Sequence, residues 1–197
     1  DDIFDDAHDA APLGVIVDAT DNFETRFLLN DLAIDRSIPL AYAGVVGTSA
    51  TRATILPGLS PCLRCMMEDP PEAGVVPTCD TAGVLGPAVM MIAAAQASEV
   101  IKVLMGRADL VLPGVLAVDP WRGTARTLLA GARPREDCPC CAGRRFDFLH
   151  GRRASRTLTL CGQGAVQIVP GTPGRLALGE LALRLKAHGE VASAGVA

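Results

Sequence analysis

The chain has 197 residues, of which 49% are hydrophobic and 20% are charged. This balance is typical of a globular protein that can build a core, and the length fits one domain or one domain with an appendage. A net charge of −4 argues against a nucleic-acid-binding protein, because phosphate binding requires a basic surface. Arginines gather between residues 144 and 156, but acidic residues lie among them, which favours a solvated face over an anion site.

The cysteines form two groups with the spacing of metal ligands. The chain has seven cysteines, and because this number is odd, at least one of them cannot form a disulfide within the chain. Cys62 and Cys65 form one group, and Cys138, Cys140 and Cys141 form the other. This grouping indicates metal binding rather than a disulfide framework, so we expect a reducing, cytoplasmic setting. No segment that resembles a signal peptide precedes the first predicted strand.

The first half of the chain predicts alternating strands and helices. Residues 14–18 form a short apolar run that predicts a buried parallel strand. Asp21, with Glu24 three residues later, is predicted as the N-cap of the helix that follows. Further strands are predicted at residues 40–46 and 51–56. This order is typical of the second half of an α/β sheet.

A long loop and a long helix follow. The loop, residues 61–77, carries the first cysteine pair, and loops of this length in a compact domain are usually functional or mobile. The helix runs from Pro87 to about Met105, with proline in its first turn. Polar and charged side chains interrupt its apolar sequence, which predicts a buried or interface helix and not a membrane span. A strand pair is predicted at residues 112–119 and 124–129.

The character of the sequence changes near its C-terminal end. Residues 157–169 predict one or two strands, residues 171–174 a loop, and residues 176–188 a short helix. We therefore divide the chain into a main α/β domain at residues 1–150 and a small α+β appendage at residues 151–197.

The two cysteine groups predict one structural zinc site. Thiols three positions apart, as in Cys62 and Cys65, can both point at one tetrahedral Zn²⁺, and a second pair completes a closed four-thiolate shell. The second pair is Cys138 with Cys141, although Cys140 competes with Cys141 as ligand. Unrelated thiols, or a redox role for the first pair, are the alternatives.

Two further residues carry possible chemistry. Asp21 follows the carboxyl end of the first predicted strand, the edge at which open α/β sheets bind ligands, so its carboxylate could hold Mg²⁺ against a nucleotide phosphate or simply cap the helix. Cys79 is a lone thiol in a loop before a helix, which suits either an activated nucleophile or a small half-buried residue without chemistry. The sequence contains neither a Gly-x-Gly-x-x-Gly motif nor a Gly-Lys-Ser/Thr phosphate loop.

Several segments together resemble one family of enzymes. They are residues 18–26 (DATDNFETR), 29–31 (LND), 61–65 (PCLRC), 79–87 (CDTAGVLGP), 96–99 (QASE) and 137–141 (DCPCC). In this order and spacing they resemble the ThiF/MoeB/HesA family of adenylyltransferases, bacterial relatives of the ubiquitin-activating enzymes. The resemblance covers about residues 12–148, and residues 160–167 are similar to an extension found in some members.

The resemblance implies a fold and an activity. The fold would be the C-terminal half of a Rossmann-like adenylation domain with a zinc site. The activity would be ATP- and Mg²⁺-dependent adenylation of the C-terminal carboxylate of a ubiquitin-like sulfur-carrier protein, for thiamine- or molybdopterin-type sulfur transfer. A homodimer is implied for the complete enzyme, with no nucleic-acid or membrane partner.

The resemblance also assigns residues. It places Asp21, and Asn22 beside it, at the Mg-ATP site, and it implies structural zinc at Cys62, Cys65, Cys138 and Cys141. Cys79 matches a loop cysteine that links covalently to the carrier in some members and is dispensable in others.

The family's glycine-rich phosphate loop lies upstream of the matching region, so we expect the chain by itself to be inactive. A noncatalytic zinc-stabilised interaction module and a dithiol redox protein remain the two alternatives.

Overall fold

The computed structural model describes residues 14–71, 75–128, 133–153, 157–160, 165–168 and 177–189. The strands are β1 (Ile16–Val17), β2 (Leu40–Val46), β3 (Ser49–Ile55), β4 (Val115–Asp119), β5 (Thr124–Leu128), β6 (Thr157–Leu160) and β7 (Ala165–Ile168). The α-helices are α1 (Phe23–Asp35), α2 (Leu63–Met66), α3 (Cys79–Ala82), α4 (Gly86–Leu104) and α5 (Leu178–Leu185), and a 3₁₀ turn spans Ala108–Leu110.

The main sheet is mixed and has five strands in the order β1-β2-β3-β4-β5. β1 and β2 are parallel and are joined through α1, whereas every later pair is antiparallel. The carboxyl ends of β1, β2 and β4 therefore meet at one edge of the sheet, which we call the sheet edge. The sequence correctly predicted a mixture of strands and helices. The turns between β2 and β3 and between β4 and β5 are too short to cross over to a parallel strand, so these two pairs are antiparallel, whereas β3 and β4 are joined through the long segment that contains α2, α3 and α4.

Alternating side chains of the strands face two separate clusters. Leu40 and Ile55, which are opposite each other in the sheet, pack against α1 and the cysteine segments. Ala50 on β3 packs instead against Ala88 and Ile92 of α4. Because successive strand residues point to opposite faces, the sheet separates the cysteine-rich core from the α4 side.

The N-cap of helix α1 lies one residue later than predicted. Asn22, not Asp21, is the N-cap: its Oδ1 accepts a hydrogen bond of 2.8 Å from the Thr25 N–H. The prediction that Asp21 caps the helix is therefore wrong. An asparagine satisfies a first-turn N–H as well as an aspartate does, so the sequence pattern could not distinguish neighbouring positions. Asp21 lies in the preceding turn and is exposed.

The helix α4 is tied to the sheet by polar groups as well as apolar ones. The Gln96 side-chain amide donates to the carbonyl oxygens of Asp18 (2.9 Å) and Ala41 (2.8 Å), which joins the helix to β1 and β2. Glu99 is buried and lies 3.5 Å from the Arg52 guanidinium on β3. By length and composition α4 could cross a membrane, a test that core helices of folded domains also pass. These contacts bury one face of α4 against the sheet, whereas only 22% of its apolar window is buried and residues such as Met90 and Leu104 are exposed. Whether the exposed face forms an interface, as the sequence allows, stays a prediction.

The predicted appendage contains a hairpin and a helix. β6 and β7 pair in antiparallel fashion, and α5 is an eight-residue helix. The predicted loop at residues 171–174 lies outside the described residues. The division of the chain near residue 150 stays a prediction.

Candidate functional site

Four cysteine thiols lie together beneath α1. The Sγ atoms of Cys62, Cys65, Cys138 and Cys141 all lie within 4.8 Å of one another, and the shortest contacts are 3.3 Å between Cys65 and Cys141 and 3.6 Å between Cys62 and Cys138. Tetrahedral Zn–S bonds of about 2.3 Å require sulfurs about 3.8 Å apart. The cluster thus has the size and the donor set of a closed zinc site, although ligation itself stays a prediction.

Local backbone structure aims each pair of thiols inward. Cys62 precedes α2, and the Cys65 N–H donates to the Cys62 carbonyl oxygen at 3.0 Å, so one turn of chain places both sulfurs on the same side. The second pair lies in a tight turn in which the Gly143 N–H donates to the Cys138 carbonyl oxygen at 2.9 Å. A Cβ at Gly143 would come within 2.8 Å of the Pro139 carbonyl oxygen, so glycine is required for this turn.

The structure separates the roles of Cys140 and Cys141, which the sequence left open. Cys141 is the fourth member of the cluster. Cys140 is fully buried; its thiol donates to Asp31 Oδ1 and its sulfur accepts from Asn30 Nδ2, each at 3.4 Å. Cys140 therefore serves as a hydrogen-bonded neighbour of the cluster, in contact with Cys62 as well.

The thiols of the cluster have strongly divergent proton affinities. Hydrogen bonds from Cys140 and from the Cys65 N–H lower the pKa of Cys62 to about 5, against the opposing effect of burial. Burial raises the pKa of Cys65 to about 11, and burial followed by its contact with Cys65 raises the pKa of Cys141. A cation that stabilises thiolates would relieve this conflict, because the sulfurs otherwise compete for one negative charge.

Two polar residues of α1 orient the cysteine segments. Asn30 Oδ1 accepts from the Leu63 N–H at 2.8 Å, and Asp31 Oδ2 accepts from the Phe148 N–H at 2.9 Å. Both side chains are fully buried. Burial raises the pKa of Asp31, against the lowering effect of the Phe148 N–H and the Cys140 thiol. These contacts join α1 to both halves of the candidate metal site, in the manner of an outer ligand shell.

A buried ion pair joins Arg64 of α2 to Asp147 in the segment that follows the second cysteine group. Arg64, only 2% exposed, lies 3.5 Å from Asp147 Oδ2 and has its guanidinium 5.8 Å from the centre of the Phe148 ring. The nearby surface arginines are also paired: Arg145 and Arg152 with Asp147, and Arg153 with Asp69. Among the described residues these arginines are exposed and ion-paired, which agrees with the predicted solvated face; Arg156 lies outside them.

The sheet edge carries the residues predicted for nucleotide chemistry. Asp18, 1% exposed, accepts through Oδ1 from the Thr20 N–H (2.9 Å) and hydroxyl (2.7 Å). Arg26 reaches back from α1 and donates to the Thr20 carbonyl oxygen at 2.7 Å, and its Nε lies 3.7 Å from Asp18 Oδ2. This turn presents Asp21 to solvent at the carboxyl end of β1. The sequence analysis did not identify Arg26 as its anchor, although the residue lies within the recognised DATDNFETR segment.

Asn22 has a structural role as the N-cap of α1. Its Oδ1 caps α1, and its Nδ2 lies 3.5 Å from Asp21 Oδ1. Its predicted nucleotide contact stays a prediction.

Cys79 lies at the same sheet edge, beyond β2. It is the first residue of α3 rather than part of an irregular loop, because Thr78 and Thr81 form a reciprocal capping box. The thiol is half-buried and donates to the Val45 carbonyl oxygen at 3.5 Å. The cysteine is thus outside the four-thiol cluster, as predicted, and close to the end of β2, whereas the predicted catalytic role is untested by this geometry.

A buried carboxylate on the same edge was not identified from the sequence. Asp119 ends β4, is 6% exposed, and accepts through Oδ2 from the hydroxyls of Thr48 (3.0 Å) and Ser49 (3.2 Å) and from Arg122 Nη1 (2.6 Å). Burial would raise its pKa, but Arg122 and the two hydroxyls outweigh burial and hold the pKa at about 2. Only the pairing of strands brings Asp119 to residues 48 and 49, so no local pattern could have revealed it.

Comparison with known sequences gives consistent matches. The profile of the ThiF family matches residues 5–140. A sulfur carrier protein ThiS adenylyltransferase of Bacillus subtilis is 37% identical over 166 residues, which are 84% of this chain and 47% of that protein. The SAMP-activating enzyme E1 of Haloferax volcanii is 37% identical over 64% of this chain and 46% of its own length. A sulfur carrier protein adenylyltransferase of Thermus thermophilus is 34% identical over 66% and 49%. The chain spans about half the length of these relatives.

Comparison with solved structures shows the same fold. The crystal structure of E. coli MccB with ATP has a TM-score of 0.53 at 18% identity and is matched over 72% of this chain and 44% of that one. A heterocyclase in complex with substrate and cofactor has a TM-score of 0.54 at 16% identity, over 78% of this chain and 23% of that one.

Proposed function

Since the chain belongs to the ThiF family, we propose that it is the C-terminal part of an ATP-dependent adenylyltransferase that activates the C-terminal carboxylate of a ubiquitin-like sulfur-carrier protein. The observation that carries this proposal is the similarity over 84% of the chain to an enzyme that adenylates ThiS. The exposed Asp21 at the sheet edge supports it.

The proposed chemistry makes a poor acyl donor reactive. An oxygen of the carrier carboxylate attacks the α-phosphorus of ATP, and pyrophosphate leaves, so that the product is an acyl adenylate with AMP as its leaving group. Negative charge accumulates on the phosphates during this step, and Mg²⁺ would neutralise part of it. Asp21 has the right residue type to hold that ion, because Mg²⁺ prefers carboxylate oxygens.

Asp18 and Arg26 contribute by holding the turn that presents Asp21. Arg26 fixes the Thr20 carbonyl group and is itself enclosed by the rings of Phe23 and Tyr42, each centred 5.4 Å from its guanidinium carbon. A carboxylate that binds a metal for catalysis needs such support, since a small displacement weakens transition-state stabilisation.

Cys79 is proposed as the acceptor thiol for the next step. Its sulfur would attack the carbonyl carbon of the acyl adenylate, the C–S bond would form as the C–O bond to AMP breaks, and the thiol proton would pass to solvent. The half-buried position of Cys79, near the end of β2 and outside the metal cluster, supports this assignment. The four-cysteine cluster would hold structural Zn²⁺, and the complete enzyme would be a cytoplasmic homodimer.

The central test is the exchange of labelled pyrophosphate into ATP. We expect exchange by a protein of the relatives' full length supplied with its carrier, and none by the 197-residue chain alone. Asp21→Ala should reduce exchange by roughly 100-fold, the effect of losing a metal clamp, whereas the exposed Asp109→Ala should not change it. Exchange that is unaffected by Asp21→Ala would contradict the proposed role of that carboxylate.

The thiol step is tested separately. Cys79→Ser should leave pyrophosphate exchange intact and abolish a carrier adduct that dithiothreitol cleaves. Normal sulfur transfer by Cys79→Ser would remove the thiol from the mechanism while leaving adenylation in place.

A noncatalytic zinc-stabilised interaction module would instead show no exchange at full length. A dithiol redox protein would be metal-free and would cycle to a disulfide, so elemental analysis distinguishes it from both other functions.

A further inference from the structure

The buried carboxylate Asp119 is connected to the segment that carries Cys79. Its Oδ2 accepts hydrogen bonds from the hydroxyls of Thr48 and Ser49, which are the residues that follow Gly47 in the turn between β2 and β3. The same oxygen accepts from Arg122, whose backbone N–H also donates to Oδ1 at 3.0 Å. One carboxylate therefore joins the β2–β3 turn to the turn after β4.

The β2–β3 turn is hydrogen-bonded to residues 79–85, which we call the Cys79 segment. The Gly47 N–H donates to the Gly83 carbonyl oxygen at 3.0 Å, and the Leu85 N–H donates to the Gly47 carbonyl oxygen at 2.8 Å. Gly47 and Val84 thus form an isolated parallel bridge. Gly47 has a φ of +60°, a conformation that glycine adopts without strain. The conformation of this one residue sets the position of the chain between α3 and α4.

Few other contacts restrain this segment. The residues from 81 to 84 are exposed, and Val84 is 42% exposed. Besides the two hydrogen bonds to Gly47, the segment contacts the sheet through the Cys79 thiol, which donates to the Val45 carbonyl oxygen, and at its end through Leu85, which packs against the cluster that contains Ala50 and Ile92. A segment with few buried contacts opens easily, so the stability of its anchoring turn controls how often it leaves the sheet.

The carboxylate is well suited to stabilise that turn. Hydrogen bonds to an ionised acceptor are stronger than neutral ones, and Asp119 is buried, where solvent competes little. The Thr48 and Ser49 hydroxyls lie at the tip of a hairpin whose last pair is Val46 and Ser49. Without Asp119 the tip would keep its strand register and the Gly47 bridge, but it would lose the acceptor of its two hydroxyls, and glycine reaches other backbone conformations more easily than a residue with a side chain.

We propose that Asp119 is a positioning residue for the acceptor thiol: through Thr48 and Ser49 it fixes the β2–β3 turn, and through the Gly47 bridge this turn holds the Cys79 segment at the sheet edge. The catalytic meaning of this inference rests on the proposed function of Cys79, whereas the structural coupling does not. Asp119 acts at a distance on the thiol and touches no reacting atom.

The coupling is tested on the zinc-loaded protein without any substrate. Thr48→Val removes one hydroxyl hydrogen bond, and Thr48→Ser retains it. We expect Thr48→Val and Asp119→Ala to increase the alkylation rate of Cys79 by iodoacetamide, mapped by peptide mass spectrometry, by about fivefold to tenfold. Amide hydrogen exchange of residues 78–86 should accelerate in parallel. Thr48→Ser, and Asp109→Ala as a matched carboxylate control, should leave both rates unchanged.

The catalytic consequence is read in the full-length enzyme. Thr48→Val should slow formation of the Cys79 adduct, because the thiol spends less time in its held position, while pyrophosphate exchange stays within about twofold of normal. Equal losses of adduct formation and exchange would reduce Asp119 to a general structural role and overturn the proposal. Unchanged alkylation and hydrogen exchange in Thr48→Val would overturn it as well, even if Asp119→Ala does not fold. If the unmutated enzyme forms no adduct, the thiol function fails, and the alkylation result still decides the coupling.

Discussion

The cysteine core under α1, which contains Cys62, Cys65, Cys138, Cys140 and Cys141, is enclosed, whereas the sheet edge is open to solvent. In the cysteine core, Cys62, Cys138 and Cys140 are at most 1% exposed, and Asn30 and Asp31 are fully buried with hydrogen-bond partners from distant parts of the chain. At the sheet edge, the residues proposed for chemistry are accessible: Asp21 is exposed and Cys79 is half-buried.

The two regions hold their functional side chains in place by different means. Side chains that would surround a metal are positioned by other side chains packed around them, because a closed site needs no access. Side chains that meet a substrate cannot be enclosed, so they are positioned through the backbone: Asp21 by the Asp18–Arg26 turn, and Cys79 by the Gly47 bridge. Mutations in the first region should therefore affect stability, and those in the second should affect activity.

The largest effect is expected from the metal ligands. Cys138→Ser should abolish the binding of one Zn²⁺ per chain and unfold the cysteine core, since structural zinc contributes about 10 kcal/mol or more to small metal-stabilised folds. Elemental analysis and thermal denaturation measure both effects. Cys140→Ser is the matched control, because Cys140 lies outside the four-thiol cluster, and it should retain zinc. Zinc lost from Cys140→Ser but retained in Cys141→Ser would reverse the ligand assignment.

The buried ion pair should have the next largest effect. Arg64→Ala removes the innermost partner of the buried Asp147 and a cation from the Phe148 ring. Breaking a buried pair from one side costs about 3–5 kcal/mol of unfolding free energy, and because Arg145 and Arg152 remain beside Asp147, we expect a loss at the lower end of this range, measured by denaturant titration. Arg107→Ala, which breaks an exposed pair with Asp109, should cost less than about 1 kcal/mol. Similar losses for the two variants would show that the cysteine core is not the more rigid region.

Zinc affinity should depend steeply on pH. In the metal-free cluster the pKa of Cys65 is about 11 and that of Cys141 is also raised, so both thiols are protonated at neutral pH and must release their protons when zinc binds. Affinity should consequently rise with pH, by at least roughly 100-fold per pH unit for these two protons. Cys62, whose pKa is about 5, is already a thiolate above that pH. Calorimetry in buffers of different ionisation enthalpy counts the protons; release of fewer than two would contradict the raised values.

The smallest effect distinguishes two neighbouring residues at the sheet edge. Asn22→Ala removes the N-cap of α1 and should cost about 1 kcal/mol of unfolding free energy. Asp21→Ala should leave the unfolding free energy nearly unchanged, because Asp21 lies outside the helix. If Asp21→Ala were the more destabilising variant, the carboxylate would be structural and its proposed metal role would lose support.

Most of the secondary structure follows from local sequence. The strands at β2 and β4 and the proline-initiated α4 lie close to their predicted bounds, since side-chain periodicity and proline geometry act over a few residues. The strand predicted at residues 14–18 forms as the two-residue β1, but the prediction that it is buried is wrong, because Val17 is 50% exposed. The paired thiols at Cys62 and Cys65 also indicated a metal site from spacing alone, because one turn of backbone sets their separation.

Only the tertiary structure decided which side chains meet across long stretches of chain. It placed Cys141 rather than Cys140 in the four-thiol cluster, and Asn30 and Asp31 of α1 engage the Cys140 thiol. It moved the helix cap from Asp21 to Asn22, since both residue types can cap and only the path of the preceding turn distinguishes them. It also brought Asp119 to Thr48 through the pairing of β3 with β4. Contacts between residues about 70 or 110 positions apart depend on how the strands and helices pack, and no local pattern in the sequence encodes that packing.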